Sequence, residues 1–231
     1  MELAIDTSTE TAGIALSSQG EVVVELTWHT GQNHTAEVVP RIVWLLDQAK
    51  LNINDINSVI VAKGPGSFNG LRIGMSLAKG LALALNIPLV GISTLEVEAY
   101  PYAFTLLPIC PIQNAGRGEI ATALFRIKQG KWCRLVEEHI ATLDSLLTDM
   151  KGQNIFCGKI PQEVKSQLGK RLGRRALIIE GAAGFRRAGY LAELGWRRLK
   201  GGDFNHSLTL EPLYLRKPSI TTSRKLQSLG K

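Results

Sequence analysis

Asp6-Thr7-Ser8-Thr9 follows the apolar stretch Leu3-Ala4-Ile5, setting one carboxylate and three hydroxyls in a row at the end of a predicted strand. Such a set can organise a phosphate and its metal ion. It can equally cap a turn with its own hydroxyls and bind nothing. A second candidate is the glycine-crowded run 64–74, GPGSFNGLRIG, which follows the apolar run SVIVAK and leads into a helix. Backbone N–H groups at a helix N-terminus attract anions. The run is not a Walker motif, because Asn69 and Leu71 stand five residues after Gly64 and Gly66 where that motif needs its second glycine. As G-x-G-x-x-G it also fails: Gly70 is one residue late, and no acidic residue ends the next strand, IPLVGI, to hold a ribose.

Beyond the turn, Gly70, Gly74, Ala78 and Ala82 recur every four residues and form a stripe without bulky side chains. Glycine costs about 1 kcal/mol relative to alanine inside a helix, so close packing must offset Gly74 and Gly80. Two surfaces fit the stripe: this chain's own sheet, or a helix of a partner. Leu71, Ile73, Met75, Leu77, Leu81, Leu83 and Leu85 make the helix apolar nearly all round, which predicts more cover than one sheet face supplies. Metal and nucleophile chemistry find less support. His29 and His34 do not share a helical face, His139 and His206 are isolated, and Cys110, Cys133 and Cys157 show no C-x-x-C spacing, so neither a metal site nor a disulfide is expected. Ser67 sits on the glycine turn with no base to activate it.

Charge divides the chain. Residues 1–100 carry 5 Lys and Arg against 10 Asp and Glu, a balance of −5, and residues 101–231 carry 22 against 10, a balance of +12. Arg186, Arg187, Arg197 and Arg198 fall with Tyr190 and Trp196 around one predicted helix, a set suited to contacting an RNA backbone. A solvated cationic face is the alternative. The final TTSRKLQSLGK reads as a loose basic tail. No run approaches the roughly 20 apolar residues of a membrane helix and MELAID lacks the features of a signal peptide, so a cytoplasmic location is expected.

The elements that position these residues alternate regularly. LAID, TAGIALSS and EVVVELTW read as three consecutive strands, and Val38, Val39, Ile42, Val43, Leu45, Leu46 and Ala49 set a helical period over 35–50. Pro40 is compatible with that helix in its first turn. SVIVAK, a helix over 69–86, IPLVGI and a short helix from 93 or 94 complete a βββαβαβα order, the ribonuclease-H-like layout of a mixed sheet with helices on its faces. A weaker copy of the order follows, with strands near 119–127 and 131–138, a helix near 142–150, the strand NIFCG, a helix from 161 and the strand ALIIE. With 231 residues, 45% of them hydrophobic, two domains are expected, 1–104 and 105–231.

AIDTSTETAGIAL, GPGSFNGLRIG, GISTLE at 91–96 and EPLYLR at 211–216 together resemble the bacterial TsaB family of tRNA threonylcarbamoyladenosine biosynthesis, most strongly over 1–100. The resemblance implies the actin-like ATPase (ASKHA) fold, α/β with two ribonuclease-H-like domains, in a protein that is not itself an enzyme. It implies a heterodimer with the catalytic paralogue TsaD, joined by the ATP-dependent TsaE and meeting tRNA through the complex, with a homodimer open to the chain when alone. The partner contact would be formed by helices of the first domain, placing His34, Gly70, Leu71, Gly74, Met75, Ala78 and Ala82 at the interface. Asp6, Thr7 and Ser8 would be a vestigial phosphate turn with no cofactor. The family's usual DAR-x-GE reads NAGRGE here, with Asn114 for the aspartate, and Lys159 stands where an acidic residue is usual. A neutral amide does not replace a carboxylate in holding Mg²⁺. The paralogue's metal-binding histidines have no counterpart in Ser93-Thr94-Leu95-Glu96. The competing reading is a self-sufficient small actin-like ATPase or kinase.

Overall fold

A computed structural model describes residues 1–31, 33–148 and 150–216. The first sheet is built from β1 (Glu2–Asp6), β2 (Thr11–Ser18), β3 (Glu21–His29), then, after helix α1 (His34–Gln48), β4 (Ser58–Gly64), and, after α2 (Phe68–Leu85), β5 (Leu89–Ser93). Its order is β3-β2-β1-β4-β5. β1 pairs antiparallel with β2 and parallel with β4. All five residues of β1 are buried, as a strand flanked on both edges and covered on both faces requires.

Helix α3 (Thr94–Ala99) leads to the second sheet, which comprises β6 (Ile109–Gly116), β7 (Glu119–Lys128), β8 (Lys131–Ala141), β9 (Asn154–Cys157) and β10 (Ala176–Ile178), with α4 (Leu143–Thr148) and α5 (Gln162–Leu172) between them. The order β10-β9-β6-β7-β8 is the first sheet's order read from the other end. Again the first strand of the unit pairs antiparallel with the second and parallel with the fourth. The repeat expected from the weaker second half is therefore present, and the fold is two ribonuclease-H-like units of the actin-like kind.

Helices α1 and α2 cover one face of the first sheet through Val38, Ile42, Leu45, Met75, Ala78 and Ala82. Its other face is covered by α6 (Ala188–Lys200), whose Leu191, Ala192 and Leu194 pack on Ala4, Ala15 and Ile60. The last helix thus returns from the second half of the chain to the first sheet, while the last strand of the first sheet ends at Ser93 and the first strand of the second begins at Ile109. Helix α3 is a shared wall: Val97 joins the first sheet's core, and Leu95 and Ala99 join that of the second. Pro40 lies seven residues into α1, not in its first turn. It is tolerated because Pro40 and Ala36 are both exposed, leaving the freed Ala36 carbonyl to water.

After α6 the chain runs across both units. Asn205 bonds to the Leu89 carbonyl and accepts from Gly91 N, and Leu213 N donates to the Lys63 carbonyl at 2.6 Å. Tyr214 packs on Phe68 at 5.2 Å, and Arg216 pairs with Glu119 on the second sheet. EPLYLR is therefore an arm laid over the glycine turn. The tail beyond Arg216 lies outside the described residues.

Candidate functional site

The turn after β1 is held from three directions. Asp6 Oδ1 accepts from the Ser8 backbone N–H at 2.9 Å and from the Ser8 hydroxyl at 2.6 Å. Thr7 donates to the Gly70 carbonyl at 2.7 Å, and His34, the first residue of α1, donates from Nε2 to the Thr9 carbonyl at 2.8 Å. Ser67 N donates to the Ser8 carbonyl at 2.7 Å, and the Ser67 hydroxyl caps α2 by accepting from Gly70 N.

The glycines of GPGSFNGLRIG explain themselves here. A Cβ at Gly66 would stand 2.3 Å from the Ser8 carbonyl oxygen, one at Gly70 2.1 Å from that of Thr7, and one at Gly74 2.3 Å from the Thr7 hydroxyl. Without Cβ atoms, the start of α2 lies directly on the Asp6 turn. The run brings two backbones of this chain together.

Arg186 occupies the turn. Its Nε donates to Asp6 Oδ2 at 2.6 Å, Nη1 to Glu98 Oε1 at 2.7 Å, and Nη2 to the Ser8 and Thr9 hydroxyls at 3.0 Å each. Only 10% of its side chain is exposed. Gln113 on β6 donates to the same Glu98 oxygen at 2.9 Å, while Glu98 Oε2 is buried without a partner. Burial holds the Glu98 carboxyl above the ordinary glutamate range, with the nearby Asp6 carboxylate adding to the rise; Arg186 and Gln113 oppose it. One buried cation thus serves two carboxylates, and the set retains an excess of negative charge that favours a proton on Glu98.

A magnesium-bound nucleotide, which this fold implies, does not fit these residues. Both oxygens of Asp6, and the Thr7, Ser8 and Thr9 hydroxyls, are already engaged within the chain. Asn114 accepts from Gly116 N in its own hairpin, and Lys159, exposed, faces Glu10 at 3.3 Å. Among the described residues, no group of three His, Cys, Asp or Glu is placed to hold a metal ion. No described helix is long and apolar enough to cross a membrane.

The remaining sequence candidates fall elsewhere than their patterns suggested. Gly70, Leu71, Gly74, Met75, Ala78 and Ala82 form the inner face of α2, and His34 is buried beneath the turn. Their small size serves the chain's own sheet and turn, and the exposed face of α2 is the opposite one. There Ser76, Gly80 and Ala84, also four residues apart, are exposed, and a Cβ at Gly80 would meet nothing within 4 Å. On α1, Val43 and Trp44 are 61% and 50% exposed.

The four arginines all have carboxylate partners. Arg186 turns inward as described, and Arg187 pairs with Glu25 at 2.7 Å. Arg197 pairs with Glu193 at 2.8 Å, and Arg198 with Asp203 at 2.7 Å and the Gly91 carbonyl at 2.8 Å. Arg187 and Arg197 remain more than half exposed. Glu98 escaped the sequence reading altogether, although it stands three residues after Leu95 on the buried side of α3, where a carboxylate signals a concealed partner.

Known proteins resemble this chain in sequence and in fold. A family model described as TsaD: tRNA N6-adenosine threonylcarbamoyltransferase matches residues 22–168, more than half of the chain. The tRNA threonylcarbamoyladenosine biosynthesis protein TsaB of Bacillus subtilis is 35% identical over 196 residues, covering 84% of this chain and 86% of that protein. A tRNA N6-adenosine threonylcarbamoyltransferase of Protochlamydia amoebophila is 44% identical over 84 residues, 36% of this chain and 23% of that one. Among solved structures, YeaZ from Pseudomonas aeruginosa superposes with a TM-score of 0.79 at 22% identity, over 93% of this chain and 99% of that one. With the repeated sheet, the Asp6 turn and the glycine run already in place, these matches identify the chain as a member of the TsaB family of tRNA threonylcarbamoyladenosine biosynthesis proteins.

Proposed function

We propose that this chain is a non-catalytic scaffold and activating subunit for threonylcarbamoyl transfer to N6 of the adenosine 3′ of the anticodon in ANN-decoding tRNAs, acting as a heterodimer with TsaD. The observation that carries the accessory role is Arg186: the turn that would organise a phosphate is filled by the chain's own guanidinium. The docking surface is the outer face of α1 and α2, where Val39, Val43 and Trp44 of α1 and Leu83, Ser76, Gly80 and Ala84 of α2 are exposed. Small residues there let a partner helix approach closely, and the apolar side chains around them supply the buried area. TsaE joins the assembled pair, and tRNA meets the complex. Arg187 and Arg197 are the residues we assign to that meeting, since phosphates can replace Glu25 and Glu193 as their partners.

The test uses the purified chain alone and mixed with TsaD, TsaE, tRNA and the activated threonylcarbamoyl donor. Alone it neither hydrolyses ATP nor modifies tRNA; added to TsaD and TsaE it raises product formation. ATP hydrolysis by the chain alone, abolished by Asp6→Ala, would replace this reading with the self-sufficient ATPase or kinase.

A further inference from the structure

We propose that Arg186 is a built-in cation standing in for the metal and phosphate group at the Asp6 turn, and that removing its guanidinium converts the same pocket into a divalent-cation site. The guanidinium joins four segments: Asp6, Ser8 and Thr9 after β1, Glu98 in α3, Gln113 in β6 through Glu98, and the entry to α6. It binds the turn and Glu98 directly, with each of its three nitrogens used, and reaches Gln113 through Glu98. The cleft beside it, about 280 Å³, is lined by Asp6, Thr9, Glu98, Gly158 and Arg186 itself. A positive charge is therefore supplied from within, whatever the surrounding concentration of metal or nucleotide.

Two further features point to a cation place. The atoms facing the guanidinium are all oxygens, two from carboxylates and two from hydroxyls, a donor set that suits a hard divalent ion. Glu98 Oε2 is a further buried oxygen without a partner, next to Gly158 in the same cleft. With Arg186 present the pocket already holds one positive charge and its space is taken. With a methyl group in its place, two buried carboxylates face each other without the guanidinium, a destabilised state that a divalent cation relieves by taking the vacated place among the oxygens.

Thermal unfolding of the full chain, with and without Mn²⁺, tests this on wild type, Arg186→Ala, Arg186→Gln and Arg186→Ala/Asp6→Asn. Wild type is expected to show no Mn²⁺ response. Both single variants melt lower and regain about 5–10 °C at a hundredfold excess of Mn²⁺ over its Kd, whereas the double variant gains nothing. Should a single variant not fold in expression, its refolding from urea is compared with and without Mn²⁺, and recovery only with the ion supports the proposal. An equal Mn²⁺ response of wild type and Arg186→Ala, a single variant as stable as wild type, or a single variant that neither gains stability nor refolds with Mn²⁺ overturns it.

Discussion

Gly74→Ala and Gly80→Ala add the same methyl group to opposite sides of α2, and they are expected to shift stability in opposite directions. Both positions lie inside the helix, where alanine gains about 1 kcal/mol over glycine. At Gly80 a Cβ meets nothing within 4 Å, so that gain is kept whole. At Gly74 the methyl would stand 2.3 Å from the Thr7 hydroxyl, a distance side chains do not tolerate. Thr7 is buried, and its hydroxyl is held by the Gly70 carbonyl at 2.7 Å. Turning it aside loses a hydrogen bond worth about 1 kcal/mol net, and overpacking adds a cost of about 1–3 kcal/mol. The balance is a gain of about 1 kcal/mol at Gly80 and a loss of about 1–3 kcal/mol at Gly74. In a chain of this size 1 kcal/mol moves the Tm by about 2–4 °C. Thermal unfolding followed by circular dichroism reads both signs directly, and a Gly74→Ala variant at or above the wild-type Tm would refute the inward placement of the stripe. Gly80→Leu extends the comparison to the partner: it is expected to fold normally and fail to co-elute with TsaD in size-exclusion chromatography. Normal co-elution would move the docking surface off α2.

Thiol chemistry is expected to follow burial. Burial pushes the Cys110 thiol up to about 12 and the Cys157 thiol well above its usual range, so the native protein reacts with one equivalent of a thiol reagent at pH 8, at Cys133, and with three after denaturation; more than one fast native thiol contradicts this. Glu98→Gln tests the raised Glu98 carboxyl. In the folded state this group keeps its proton to higher pH than in the unfolded chain, so its contribution falls as pH rises above the ordinary value near 4.5. The stability lost in Glu98→Gln is therefore greatest at and below that pH and shrinks as pH rises towards neutrality, and a loss that grows with pH would show the folded-state carboxyl to lie below the ordinary glutamate range. For tRNA, Arg187→Gln/Arg197→Gln in the heterodimer with TsaD is expected to make the log–log salt slope shallower by about 1.4–1.8, at roughly 0.7–0.9 per phosphate contact. An unchanged slope assigns both residues to their internal carboxylates.

What the sequence made legible follows from the range of the forces involved. TAGIALSS and SVIVAK carry their strand identity in their own side chains, and the period of α1 survives Pro40 because burial of Val38, Ile42 and Leu45 outweighs one lost backbone bond. The orientation of α2 was not legible. Gly70, Gly74, Ala78 and Ala82 on one side and Ser76, Gly80 and Ala84 on the other offer the same spacing, and leucines flank both. Only Thr7, 63 residues before Gly70, decides which side faces inward. Arg186 was misread for a similar reason. Beside Arg187 it belongs to a basic cluster, and its partners Asp6 and Glu98 lie 180 and 88 residues away.

The buried carboxylate in α3 and the inward arginine before α6 are two halves of one electrostatic problem, and each makes sense only through the other. A lone Glu98 on an apolar face would be neutralised or expelled, and a lone Arg186 in the cleft would leave a buried charge without compensation. Together with Asp6 they hold the entry to α6 against the end of β1 and, through Gln113, against the second sheet. The glycine run performs the matching task on the opposite side, bringing α2 onto the same turn. A turn gripped from both sides fixes the base of α2 and thereby the orientation of its outer face. Rigidity at Asp6 and the open surface at Gly80 are then consequences of one arrangement, which under the proposed function makes the turn the support for a docking helix.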